Sequence, residues 1–286
     1  MPTVRGGVAS RASTEGEGAK PVLPRSKRLS YLVQYLILIV AAEAVLVLAS
    51  LANDATLATA GLFLDLALVV VLPIQGALLV PRDGPLASFL SALALVPLVR
   101  VVSLTMPFTP FSTIEWLAIV SVPLLLAALA VMQAQGLRPA DVYLAFGNRR
   151  YAILNVTLVG VGFFLGIVEY WILSPEPWIL STSMDRLVPA VAVVFVATGL
   201  AEELIFRGVV LRAGLQFLGR SGAVVVTSFV FAVFHIGFLS ILDVLFVFGM
   251  GLLFGFVVLA TRALWGAVGA HTMANVMLYL ILPFGL

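Results

Sequence analysis

Long apolar runs, separated by short polar or proline- and glycine-containing breaks, dominate the chain. A helix needs about 20 mostly apolar residues to cross the hydrocarbon core of a bilayer. Nine runs approach that length: 31–52, 57–81, 86–104, 114–135, 152–174, 187–212, 222–239, 241–261 and 264–284. The third is the weakest, because Pro97 and Arg100 interrupt it. The sequence therefore predicts an all-α fold, a polytopic transmembrane helical bundle of nine spans, or of eight with one re-entrant segment.

Composition excludes most other classes of protein. Only 10% of the 286 residues are charged, against about 25% in soluble domains. The absence of cysteine excludes disulfides, Fe–S clusters, Cys-ligated zinc and thiol catalysis. Histidine occurs twice, at His235 and His271, so histidine chemistry must use one or both. The arginines are scattered rather than arranged in a stripe, and we expect no nucleic-acid partner.

The basic residues predict how the chain is oriented. Residues 1–28 are polar and predict a disordered cytosolic tail, followed by N-terminal transmembrane helices over 29–180 and a four-helix transmembrane core over 181–286. With a cytosolic N-terminus and alternating spans, one side receives nearly all basic residues: Arg5 to Arg28, Arg82, Arg138, Arg149, Arg150, Arg212, Arg220 and Arg262. By the positive-inside rule we expect an integral protein of the plasma membrane with these residues in the cytosol, and membrane lipids as partners.

The first five predicted spans carry isolated ionisable residues. Arg100, Asp65 and Glu169 all fall in the outer half of the predicted topology. Charges within a bilayer are costly and usually pair or line a wet cavity. We expect a structural ion pair involving Arg100, with a substrate or ion pathway as the alternative, and no catalytic role.

Two adjacent glutamates stand out in the sixth span. Glu203 and Arg207 are four residues apart and can pair on one helix face. Glu202 then projects about 100° away. A lone carboxylate in an apolar setting can act as a general base. The alternative is that both glutamates are neutralised structurally, around Arg207 and a helix end.

The two histidines lie in later spans. A lone histidine such as His235 is more often a hydrogen-bonded packing residue than a catalyst, but His271 and Asn275 are four apart and share a face. The turn near Gly219 predicts an antiparallel hairpin that brings Glu202 and His235 to similar depth. His271 follows Arg262 by about 13 Å of helix. We therefore expect all of them to meet in the cytosolic half of the membrane.

Together the three motifs resemble the CPBP family of CAAX proteases and bacteriocin-processing proteins, also called Abi, which includes the Rce1-type prenyl-protein endopeptidases. They read Glu202-Glu203-x-x-x-Arg207, Phe231-x-x-x-His235 and His271-x-x-x-Asn275, within residues 187–284. The resemblance implies an intramembrane endopeptidase with a cytosol-facing hydrophilic cavity and a membrane-associated or lipidated peptide substrate. Carried over, Glu202 and His235 activate water, His271 and Asn275 stabilise the oxyanion, and Glu203, Arg207 and Phe231 support the site.

The resemblance leaves metal and activity open. The family is often labelled metalloprotease, and Glu202, His235 and His271 could supply the three ligands of a catalytic zinc. The alternative is glutamate-dependent hydrolysis without metal. Since a fold does not guarantee catalysis, a non-catalytic immunity or regulatory scaffold is the second hypothesis. A transporter is the third, although no inverted repeat is evident.

Overall fold

The computed structural model describes residues 23–147 and 149–285. Its helices are α1 Arg25–Ala52, α2 Ala55–Leu79, α3 Gly84–Leu93, α4 Leu95–Thr105, α5 Thr113–Ala134, α6 Ala152–Leu173, α7 Met184–Val194, α8 Ala201–Glu203, α9 Leu211–Val233, α10 Ile241–Thr261 and α11 Trp265–Asn275. Three π-helical segments, Phe195–Leu200, Leu204–Val210 and Val276–Ile281, continue these helices. Residues 1–22 of the predicted tail lie outside the described residues. The last four residues of the predicted tail, 25–28, are helical, because α1 begins directly after Pro24.

The chain passes through the bundle nine times within the described residues. Eight stretches are long and apolar enough to cross a membrane. The longest, Met184–Phe238, reverses direction at Gly219, where φ is 73° and ψ is −179°. Its two arms pack together, since the rings of Phe206 and Phe231 lie 5.0 Å apart. The predicted all-α bundle is confirmed, and the turn at Gly219 makes one long helix two spans.

The weak third span is one membrane pass made of two helices. α3 ends at Leu93 and α4 begins at Leu95. Pro97 lies in the first turn of α4, where proline is tolerated because its missing N–H has no helical partner. The proline therefore starts the second helix and does not end the span.

One end of the bundle gathers the basic connections, and we call it the basic end. The start of α1 meets the α2–α3 turn there, since Arg28 Nε lies 2.8 Å from Asp83 Oδ2. The Arg28 guanidinium also lies 4.9 Å from the ring of Phe217, near the hairpin turn. The N–H of Leu264, after α10, donates to the carbonyl of Tyr143, after α5. Tyr143 also packs against the buried cluster of Leu211 and Ala223, on either side of the hairpin turn, so these connections form one surface.

The opposite end, which we call the far end, carries the connections 53–54, 106–112, 174–183 and 239–240. Arg186, near the start of α7, is the basic residue of the described chain closest to these connections. The two ends of the bundle thus differ sharply in charge.

Glycines let α6 and α11 pack closely. A Cβ on Gly162 would clash with the backbone of Ala270, and one on Gly166 would clash with that of Ala274. Small residues of this kind allow helix backbones to approach within a membrane. Residue numbers rise in the same direction from the first contact to the second on both helices, so α6 and α11 run parallel. The fifth and ninth spans of an alternating topology must be parallel.

Candidate active site

The three predicted motifs meet at one cavity of about 300 Å³. Its wall consists of Val99, Arg100, Trp116, Leu117, Glu169, Trp178, Thr198, Glu202, Phe206, Phe231, Phe234, His235, Phe238, Met250, His271, Asn275 and Tyr279. All four predicted catalytic residues and Phe231 are therefore brought together. Glu203 and Arg207 lie behind this wall, 0% and 1% exposed.

Irregular helix geometry presents the two adjacent glutamates in different directions. α8, which contains both, is a single turn between π-helical segments. Such segments change the direction in which side chains project and are frequent at functional sites. Glu202 faces the cavity, whereas Glu203 points into the protein. Glu202 makes no hydrogen bond to another residue within 23–147 or 149–285, so its carboxylate is available to a ligand or to water.

Glu203 holds two partners at once. Its Oε1 accepts a hydrogen bond from Arg207 Nη1 at 2.9 Å, which is the predicted pair. The same oxygen lies 2.9 Å from Nδ1 of His271. The Arg207 guanidinium lies 4.2 Å from the ring of Phe231 and 5.7 Å from that of Phe254, so aromatic faces cover it. Sequence reasoning found the arginine contact but missed the one to His271, which is 68 residues away.

The contact to Glu203 fixes how His271 is presented. A carboxylate only accepts hydrogen bonds, so Nδ1 of His271 carries the proton. Nε2 then points to the cavity, 3.9 Å from Oε2 of Glu202. That distance is too long for a hydrogen bond. It can be bridged by a ligand atom or a water molecule.

His235 is oriented in a similar way by a different acceptor. Its Nδ1 lies 3.1 Å from the carbonyl oxygen of Phe231. A carbonyl also only accepts, so Nδ1 carries the proton and Nε2 is left for the cavity. The ring of Phe231 lies 5.2 Å from that of His235 and 5.9 Å from that of His271. Phe231 therefore supports both histidines, through its carbonyl and through its ring.

Arg100 joins the site from the N-terminal helices. Its Nε and Nη2 donate to the two carboxylate oxygens of Glu43, at 2.8 and 2.6 Å. Nη2 also donates to the carbonyl of Phe234 at 3.2 Å, and the side chain lines the cavity. The predicted ion pair of Arg100 is present, with Glu43 as its partner. No sequence pattern connects Arg100 to Phe234, the residue that precedes His235.

Glu169 is a second cavity residue that sequence reasoning did not assign to the site. It is 4% exposed, its Oε2 is buried, and no hydrogen bond joins it to another described residue. It interacts electrostatically with Asp243, His271 and Glu202. A signal existed, because Glu169 lies one turn beyond Gly166, on the face of α6 that packs against α11.

The predicted zinc ligands do not form a metal site as the structure places them. Within the described residues, no three His, Cys, Asp or Glu side chains are grouped closely enough to hold an ion. A catalytic zinc takes three protein ligands at about 2.0–2.2 Å. Glu202, His235 and His271 share a cavity wall but not that geometry, so no chemical step is assigned to a metal.

The cavity extends from the middle of the bundle to the far end. His271 lies about 9 Å from the start of α11 and about 15 Å from the end of the π-helical segment that follows, at 1.5 Å per residue. Arg100 and Glu169 lie near the far ends of α4 and α6, and Trp178 belongs to a far-end connection. The lining of the cavity therefore runs from His271, which is nearer the basic end of its helix, toward the far end.

Residues 185–277 match the family of type II CAAX prenyl endopeptidases described as Rce1-like. The match contains all three motifs and confirms the resemblance to the CPBP and Rce1-like proteins over these residues. No curated protein and no solved structure matches the chain. Helices α1 to α6 precede the matched segment, although Arg100 and Glu169 from these helices line the same cavity.

Proposed function

We propose that this Rce1-like membrane protein is an intramembrane endopeptidase that hydrolyses a peptide bond with water activated by Glu202 and His235. One observation carries the proposal: the motif side chains converge on one cavity, and Glu202 faces it without a hydrogen-bonded partner in the described chain. Hydrolysis needs a base next to a site where water and a carbonyl group can meet.

In the proposed reaction, the Glu202 carboxylate takes a proton from water while Nε2 of His235 orients the same molecule. The water oxygen attacks the peptide carbonyl carbon, and the carbonyl oxygen becomes an oxyanion. The C–N bond then breaks, and Glu202 returns the proton to the leaving amine. The products are a carboxylic acid and an amine, and the base is regenerated.

His271 and Asn275 are proposed to stabilise the oxyanion. Oriented donors aimed at a developing charge contribute strongly to catalysis in a site with little water. We propose that His271 is doubly protonated, since its ring lies between the carboxylates of Glu202 and Glu203. Nε2 of that imidazolium and the Asn275 amide then both donate into the cavity.

The cavity wall also favours a class of substrate. Seven aromatic side chains surround the polar residues: Trp116, Trp178, Phe206, Phe231, Phe234, Phe238 and Tyr279. Aromatic walls bury large apolar groups. We therefore propose a membrane-associated or lipidated peptide with apolar side chains beside the scissile bond.

Cleavage of a membrane-derived peptide by the purified protein in detergent tests the proposal. We expect Glu202→Gln and His235→Ala each to lower kcat by about 100-fold or more, the usual contribution of general acid–base groups. Asp185→Asn, an exposed change outside the cavity, is the matched control and should retain activity. Variants of Glu202 and His235 that are as active as the parent would overturn the proposal. Metal analysis of the same preparation examines the zinc alternative directly.

A further inference from the structure

We infer that the cavity belongs to the non-cytosolic side of the membrane, so that the site accepts peptide segments presented from that side. That the site accepts peptide segments for cleavage rests on the proposed endopeptidase function, whereas the sidedness of the cavity rests on the structure and the charges alone. The inference separates this chain from one that processes prenylated peptides presented in the cytosol.

The charges of the two ends carry the first step. Ten basic residues of the described chain lie at the basic end: Arg25, Lys27, Arg28, Arg82, Arg138, Arg149, Arg150, Arg212, Arg220 and Arg262. Arg186 is the basic residue at the far-end connections, since Arg100 is held within the bundle by Glu43. Short loops rich in Lys and Arg stay in the cytosol. The asymmetry therefore places the basic end in the cytosol.

The contacts between connections carry the second step. A prediction from sequence alone depends on the number of spans, because one missed helix reverses every later loop. The structure removes that dependence. Arg28 contacts both Asp83 and Phe217, and Leu264 hydrogen-bonds to Tyr143. Basic connections from early and late in the chain thus lie on one surface, and this conclusion does not depend on the number of spans.

Tyr143 gives an independent measure of this surface. Its side chain lies in the connection after α5, outside the spans. Burial raises the pKa of its phenol, while the charges of Arg212, Arg262 and Arg220 act to lower it. Three arginines from two different turns are therefore close enough to act on one side chain, and the positive charge of the basic end is concentrated.

The position of the cavity carries the third step. From His271 the cavity continues toward Glu169, Tyr279 and Trp178, and Trp178 lies in a far-end connection. The indole of Trp178 stacks on the Tyr279 ring, with centroids 3.7 Å apart. Toward the basic end, Val258, Leu264 and Val268 are completely buried, and none of them lines the cavity. A peptide therefore reaches Glu202 from the far end.

The chain suits a direct labelling experiment, because it contains no cysteine. Glu176 is exposed in a far-end connection, and Ser221 is exposed beside the hairpin turn at the basic end. Single Glu176→Cys and Ser221→Cys variants are expressed in whole cells and treated with a membrane-impermeant maleimide before and after lysis. We expect the Glu176→Cys protein to react in intact cells and the Ser221→Cys protein to react only after lysis. The reverse pattern, or equal labelling of both in intact cells, would overturn the inference.

A second pair of cysteine variants shows whether the labelling pattern depends on the surroundings of one position. Asp185 and Ala140 are exposed at the far and basic ends, respectively. Asp185→Cys and Ala140→Cys should repeat the two patterns, and disagreement with the first pair would also count against the inference. Because labelling needs no catalysis, an inactive enzyme would contradict the proposed function and leave the sidedness standing.

Discussion

Nδ1 of His271 lies 2.9 Å from Oε1 of Glu203, and this contact links α11 to the paired glutamates of α8. Glu203 thereby sets which nitrogen of His271 faces the cavity. The more buried glutamate of the pair contacts both Arg207 and His271, and we predict that it positions His271.

Replacing Glu203 by glutamine tests that positioning role. The variant keeps the shape of the side chain but removes the charge beneath His271. We expect kcat to fall by about 10- to 100-fold, the loss usual when a group that orients a metal-bound histidine is changed. Cleavage rates at saturating substrate measure the effect, and KM should change little. Unaltered kcat in a folded Glu203→Gln protein would contradict the role.

Arg207 should matter more for stability than for chemistry. It is buried between Phe231 and Phe254 and neutralises Glu203. Arg207→Met leaves a buried carboxylate without its cation, and removal of one partner of such a pair costs about 3–5 kcal/mol. Thermal unfolding in detergent measures the loss. The double variant Arg207→Met, Glu203→Gln should regain part of it, and strictly additive losses would argue against the pairing.

Arg100 and Glu43 should couple energetically. Two hydrogen bonds join them, and Arg100 also holds the carbonyl of Phe234. We expect a double-mutant cycle with Arg100→Gln and Glu43→Gln to give a coupling of at least about 0.5 kcal/mol. Arg100→Gln should also reduce kcat, because Phe234 precedes His235. Arg186→Gln, at an exposed position, is the control. If its kcat fell as much as that of Arg100→Gln, the contact to Phe234 would not explain the loss.

The close approach of α6 and α11 should depend on one glycine face. Gly162 faces the backbone of Ala270, whereas a Cβ on Gly160 would meet open space. Gly162→Ala is expected to cost about 1–3 kcal/mol by overpacking. Gly160→Ala is the matched control and should be neutral or stabilising, because alanine favours helix over glycine by about 1 kcal/mol. The free energy of unfolding of both variants in detergent tests this prediction. Equal changes in the two variants would show that the contact does not depend on Gly162.

Much of the fold followed from the sequence because membrane spans obey simple rules of length and apolarity. The apolar runs gave the spans, and the break at Gly219 was visible as a turn between two of them. The motif positions were also sufficient to bring Glu202, His235 and His271 to one cavity. These inferences depend on local properties of the chain, namely apolarity, turn residues and helical spacing.

The remaining features depend on how distant helices pack. No local pattern connects Glu203 to His271 or Arg100 to Phe234. The sequence places His271 about 13 Å along its helix from Arg262, but no local pattern shows how far the cavity extends from it. The structure shows that His271 is at the inner limit of a cavity that continues past Glu169 to Trp178.

The dependence of the site on α11 has a consequence for synthesis. Glu202 and Glu203 are made about seventy residues before His271, which is 68 positions after Glu203. Until α11 packs against α6, Glu203 has Arg207 but not His271 as a hydrogen-bonding partner. One wall of the cavity is also missing. A chain still being inserted into the membrane therefore has no complete site, and the proposed hydrolysis must wait until insertion of this late helix.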